Sequence, residues 1–140
     1  MNIVWALILF SLIILFHEFG HFLLAKKNGV TVVEFSLGMG PRLLSKEWHG
    51  TRYSLKILPF GGSCMMLGED EEESGEGSFG SKSVWARISV IAAGPIFNFI
   101  LAFLLSLIIV GLYGFDPAVI RSVEDGSPAQ EAGLLEGDVV

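Results

Sequence analysis

Phe16-His17-Glu18-Phe19-Gly20-His21-Phe22-Leu23-Leu24-Ala25 puts three ionisable side chains inside an apolar run that begins at Ile3. Such groups are costly in hydrocarbon, so their presence in a membrane-length segment marks function. The spacing indicates which function. On a helix, positions i and i+4 share a face, so His17 and His21 can each turn a ring nitrogen toward one metal ion. Glu18 lies about a quarter turn away. There it can miss the ion yet take the proton of an attacking water, as in metalloproteases that carry His-Glu-x-x-His. A chance match, or a polar cluster that only ties helices together, would explain the residues but not their location. Zn²⁺ offsets the cost of burying two imidazoles, which makes a zinc site the better reading.

The composition agrees with a membrane protein. The 140 residues are 51% hydrophobic with a mean hydropathy of +0.60 and a net charge of −6, too apolar for an ordinary soluble domain of this size. Ile3 to Ala25 and Ile88 to Leu112 are each long enough to cross about 30 Å of hydrocarbon. A signal peptide is not expected, since no Lys or Arg precedes the first run and no small-residue cleavage site follows a short apolar core. Of nine Lys and Arg, eight (Lys26, Lys27, Arg42, Lys46, Arg52, Lys56, Lys82 and Arg87) fall between the two runs. By the positive-inside rule that connection is cytoplasmic, with the N-terminus and everything after Leu112 outside. The single cysteine, Cys64, leaves no intrachain disulfide and reads as a free thiol. No nucleic-acid partner is expected.

Between the spans, Lys26-Lys27-Asn28-Gly29 predicts a helix end. Val30 to Leu37 and Arg52 to Ile57 predict strands of a small antiparallel unit, broken at Gly38-Met39-Gly40-Pro41 and turning at His49-Gly50. His49 reads as an exposed turn residue, though a role as a third metal ligand is conceivable. Pro59-Phe60-Gly61-Gly62 has two readings, a glycine turn or an extended edge that holds a substrate by main-chain hydrogen bonds. Glu69 to Gly77 predicts a solvated acidic loop. In the second span, Ala92-Ala93-Gly94-Pro95 marks close helix contact or a bend. Asn98, one turn on, could bond a neighbouring helix, hold a substrate backbone or orient the site. Residues 120–140 read as strand, turn, short helix capped at Gly133, and the start of another strand, so the sequence is expected to be a fragment of something longer.

Five blocks carry a resemblance: His17-Glu18-Phe19-Gly20-His21; Phe35-Ser36-Leu37-Gly38-Met39-Gly40-Pro41; Pro59-Phe60-Gly61-Gly62; Trp85-Ala86-Arg87 through Ala93-Gly94-Pro95-Ile96-Phe97-Asn98-Phe99; and Gly126-Ser127-Pro128-Ala129 through Gly137-Asp138. In this order they resemble the N-terminal part of the site-2 protease family, in particular its RseP-like RIP zinc metalloproteases (regulator of sigma-E protease). The last block is similar to the start of a PDZ domain.

The resemblance implies a mainly α-helical membrane protein in the inner or plasma membrane. Its parts would be a first transmembrane helix (1–27), a cytoplasmic β-hairpin with membrane-associated and acidic loops (28–84), a second transmembrane helix (85–113) and a truncated PDZ region outside (116–140). It implies zinc-dependent cleavage, within the lipid bilayer, of single-span membrane proteins such as anti-sigma factors or signal-peptide remnants. His17 and His21 would be zinc ligands, Glu18 the catalytic base, and Gly61, Gly62 and Asn98 substrate-binding. The family's third ligand is an Asp in a later membrane segment with Asn-x-x-Pro and Leu-Asp-Gly patterns, which residues 1–140 lack. Asp116 and Asp138 lie on the outer side by the charge argument. These residues alone are therefore expected to be inactive. The alternative is a membrane adaptor that binds partners through its PDZ region; Glu18 argues against it, since a structural zinc site has no use for a base.

Overall fold

The computed structural model describes residues 2–69, 75–114 and 118–139. Most of the acidic loop and Asp116 lie outside the described residues. The chain forms two units, residues 1–103 and residues 104–140.

The first unit begins with helix α1 (Asn2–Lys27). Its end is fixed as the sequence predicts: Gly29 has φ +68°, and the N–H groups of Gly29 and Val30 donate to the carbonyls of Lys26 and Ala25 at 3.1 and 2.9 Å. This pair of bonds satisfies helix-end carbonyls and turns the chain sharply. Strands β1 (Val32–Trp48) and β2 (Thr51–Met66) follow, paired antiparallel through a turn at His49-Gly50, where His49 has φ +48°. Helix α2 (Val84–Tyr113) then continues through Pro95.

Both strands are longer than their sequence suggests. Gly38-Met39-Gly40-Pro41 does not end β1 but bends it: Gly38 and Gly40 have φ +87° and +86°, and the register shifts on either side of Met39. The bend lets β2 flank the first half of β1 twice, so that Phe35 has Cys64 on one side and Tyr53 on the other. The Gly61-Gly62 stretch thus belongs to the strand.

The core is small. Ala25, Val30, Val32, Cys64, Met66 and Val90 are buried together, with Phe22, Leu24, Phe35 and Phe79 packed on them. It gathers the end of α1, the outer ends of the sheet and the start of α2. Phe22 joins α1 to the sheet, its ring centroid 5.1 Å from that of Phe35 and 6.0 Å from that of Tyr53. Glu34 is buried in the sheet and takes two hydrogen bonds from the Arg42 guanidinium, at 2.7 and 3.0 Å. That guanidinium outweighs the effect of burial and holds the Glu34 carboxyl at about 2.

Much of both helices has no protein cover. Ile3, Trp5, Phe10, Phe99, Phe103 and Leu112 are among their exposed large apolar side chains. With mean hydropathies of 2.2 and 2.5, Ile3–Lys27 and Val84–Tyr113 are long and apolar enough to cross a membrane. Exposed apolar faces of this extent are stable in lipid rather than in water.

In the second unit, the short helix α3 (Pro128–Glu131) is capped by Ser127, whose Oγ accepts from the Gln130 N–H at 3.3 Å. Val119 and Val139 form an isolated antiparallel bridge, and Ile120 exchanges main-chain hydrogen bonds with Gly137 and Asp138.

Candidate metal centre and active site

Two glycines bring α1 and α2 together. A Cβ on Gly20 would lie 2.9 Å from the Ala93 carbonyl carbon and 3.0 Å from Phe97 Cδ2, so a side chain there would separate the helices. Phe19 packs edge-on to Phe97 beside this contact, with centroids 6.0 Å apart. From the adjoining face α1 presents His17 and His21, their rings 4.8 Å apart and inclined at 78°. Both face Gly94. A Cβ on Gly94 would clash with His21 Nε2 and lie 2.6 Å from His17 Nε2. The two Nε2 atoms therefore converge on a place that the absent side chain leaves open.

The other nitrogen of each ring is held by α2. His21 Nδ1 lies 2.8 Å from the Val90 carbonyl oxygen. A carbonyl only accepts, so Nδ1 carries the proton and Nε2 keeps its lone pair. His17 Nδ1 lies 3.2 Å from the Asn98 amide nitrogen, while Asn98 Oδ1 is buried without a hydrogen-bond partner. Asn98 and His17 also line an open cleft of about 330 Å³ with Pro95, Phe99 and Ala102.

Two imidazoles converging over a glycine fit Zn²⁺, which takes histidine nitrogen readily. Among the described residues, no group of three or more His, Cys, Asp or Glu side chains could hold a metal ion. His17 and His21 would therefore supply two of the three protein ligands that a catalytic zinc takes. His49 does not join them; it is exposed at the hairpin turn with its ring against Trp48, centroids 4.5 Å apart.

Glu18 points toward the sheet. Its Oε2 accepts from the Cys64 main-chain N–H at 2.9 Å. A Cβ on Gly62 would lie 3.6 Å from Glu18 Cγ and 3.0 Å from the Ser36 carbonyl oxygen, so β2 passes directly beside the carboxylate. Gly61 is placed differently: it has φ +82°, and a Cβ there would meet Met39 Cγ at 2.9 Å. Burial, reinforced by the Glu18 carboxylate, pushes the Cys64 thiol up to about 12, so it stays protonated and unreactive at neutral pH.

Three groups at the site escape a reading of side-chain types: the Val90 carbonyl, the Cys64 N–H and the gap at Gly94. The first two are main-chain atoms, which every residue carries. The third has a faint signal, since Val90, Gly94 and Asn98 repeat the four-residue spacing of His17 and His21.

A sequence model described as Peptidase family M50 matches residues 5–135. The chain is 44% identical over 138 residues to a Clostridium perfringens protein named "Putative zinc metalloprotease", covering 99% of this chain and 41% of that protein. It is 42% identical over 139 residues to a Clostridium acetobutylicum protein of the same description, again covering 99% and 41%. To a third, from Thermotoga maritima, it is 39% identical over 145 residues, covering all of this chain and 29% of the relative. The chain thus spans about two fifths of the length of the clostridial relatives it matches.

Proposed function

The chain belongs to peptidase family M50, the zinc-dependent site-2 protease family, and on that premise we propose that it carries the base and two zinc ligands of an intramembrane metalloprotease. The observation that carries the reading is the convergence of His17 Nε2 and His21 Nε2 on Gly94 within an apolar helix pair. His17 and His21 hold the zinc, and a carboxylate from outside residues 1–140 completes its protein ligands. Residues 1–140 alone then hold the metal weakly and cleave nothing. Zinc bound there supplies a Lewis acid that polarises the scissile carbonyl and acidifies water.

The chain's own groups do the rest. Glu18 Oε2 is held by the Cys64 N–H, which leaves Oε1 to take the proton of the attacking water and deliver it to the departing amide nitrogen. The Gly61-Gly62 part of β2 holds the substrate as an extended strand near this carboxylate. Main-chain pairing of that kind accepts varied sequences. The resemblance to site-2 proteases supports single-span membrane proteins, such as anti-sigma factors or signal-peptide remnants, as the substrates, and a spanning helix must unwind to offer its main chain to a strand edge. Residues 116–140 begin a PDZ region that restricts access from outside.

The test uses the whole protein and a single-span substrate. Glu18→Gln keeps both imidazoles and a similar shape, so it retains zinc and loses cleavage by about 10² to 10⁴-fold. His17→Ala loses cleavage and holds zinc only weakly. Cleavage by Glu18→Gln at the normal rate would overturn the assignment.

A further inference from the structure

One face of α2 serves both histidines, and it does so unequally. Val90, Gly94 and Asn98 are spaced four apart, as are His17 and His21 on α1, so each set lines one side of its helix. Val90 meets His21, Asn98 meets His17, and Gly94 lies between them. The Val90 carbonyl can only accept, and it fixes the proton of His21 on Nδ1. An amide can present either end. With its amino group toward His17, Asn98 donates to Nδ1 and the ring must carry its proton on Nε2, the atom that faces Gly94. An imidazole in that form has no lone pair to give a metal there.

Resting on the zinc reading above, we propose that Asn98 is a positioning residue that sets the tautomer of His17: its amide oxygen accepts the Nδ1 proton and leaves the Nε2 lone pair directed at the metal. The turn needed is a rotation that exchanges an oxygen and a nitrogen of nearly equal size, so it demands no room from α1. It gives the Asn98 oxygen, buried and without a partner in the other orientation, the acceptor role that a buried oxygen requires. The amino group moves to the oxygen's former place. Both histidines then donate their Nδ1 protons to α2 and turn their Nε2 atoms to the gap at Gly94. Outer hydrogen bonds of this kind orient metal-binding histidines generally, and their loss weakens metal affinity by about 10 to 100-fold.

The experiment uses the whole protein in nanodiscs, with ¹⁵N-labelled histidine and zinc itself as the probe. Asn98→Asp presents oxygens only, and Asn98→Leu presents neither donor nor acceptor. The expected result is zinc affinity near or above that of the unsubstituted protein for Asn98→Asp, and about 10 to 100-fold weaker for Asn98→Leu. The ¹⁵N shifts of metal-free Asn98→Asp should report His17 protonated on Nδ1, and those of Asn98→Leu should report Nε2. The His21 signals should stay unchanged in both, which separates loss of the hydrogen bond from loss of the fold. In a His17→Ala background, Asn98→Leu should have no further effect on zinc. Unchanged affinity and an unchanged His17 tautomer in Asn98→Leu would overturn this proposal alone, as would equal weakening by Asp and Leu. Full zinc binding after His17→Ala and His21→Ala would overturn the zinc reading itself.

Discussion

A catalytic base must be held as well as supplied, and Glu18, the base proposed above, is held by main chain. The Cys64 N–H is 2.9 Å from its Oε2, and a hydrogen bond to a charged group contributes about 1.5–3 kcal/mol. Cys64→Pro deletes that donor, in a strand where proline is tolerated if the N–H points away from the ladder. Its kcat/KM should fall by roughly 10 to 100-fold with zinc content unchanged, whereas Cys64→Ala, which keeps the N–H, should stay within a few-fold of the unsubstituted enzyme. Equal rates for the two variants would show that the contact does not position the base. His17, Glu18 and His21 are legible in the sequence because their chemistry lies in side chains at a fixed helical spacing. The Cys64 N–H is not, since nothing in its type distinguishes it from any other main-chain donor.

The sheet shows where reading elements from sequence fails. Glycines at 38 and 40 suggest a strand end, and Gly61 allows a turn as well as an extended edge, yet each sits within a strand at positive φ. A glycine that stops a strand and one that bends it look alike until the partner strand is known. The helices were easier, because length, hydropathy and the Gly29 stop are local properties. The bend brings Gly62 between the Ser36 carbonyl and Glu18. Gly62→Val should therefore push β2 away from the carboxylate and crowd any strand that pairs there. Cleavage should drop by at least about tenfold while zinc stays bound, since a misplacement near 1 Å can cost 10²-fold. Gly61→Val should also slow cleavage, here through strain at φ +82° and the contact with Met39. Parallel loss of zinc and activity would instead mark both glycines as needed for folding.

At the scale of the molecule, the proposed orientation rests on charge. Eight of the nine basic residues lie between the two apolar runs, so we propose from the positive-inside rule that this connection faces the cytoplasm. A cysteine at Glu76, an exposed position in this connection, should resist an impermeant thiol reagent on intact cells. One at Ser122 should react. Equal labelling would reverse or void the topology.

The proposed zinc centre, in which His17 and His21 bind one ion through nitrogens that meet over Gly94, is open to zinc-edge X-ray absorption on the whole protein. The spectrum should show one zinc per chain with two imidazoles at about 2.0–2.1 Å, falling to one imidazole and a weakly held ion in either His17→Ala or His21→Ala. A zinc shell without imidazole, or one unchanged by both substitutions, would contradict it.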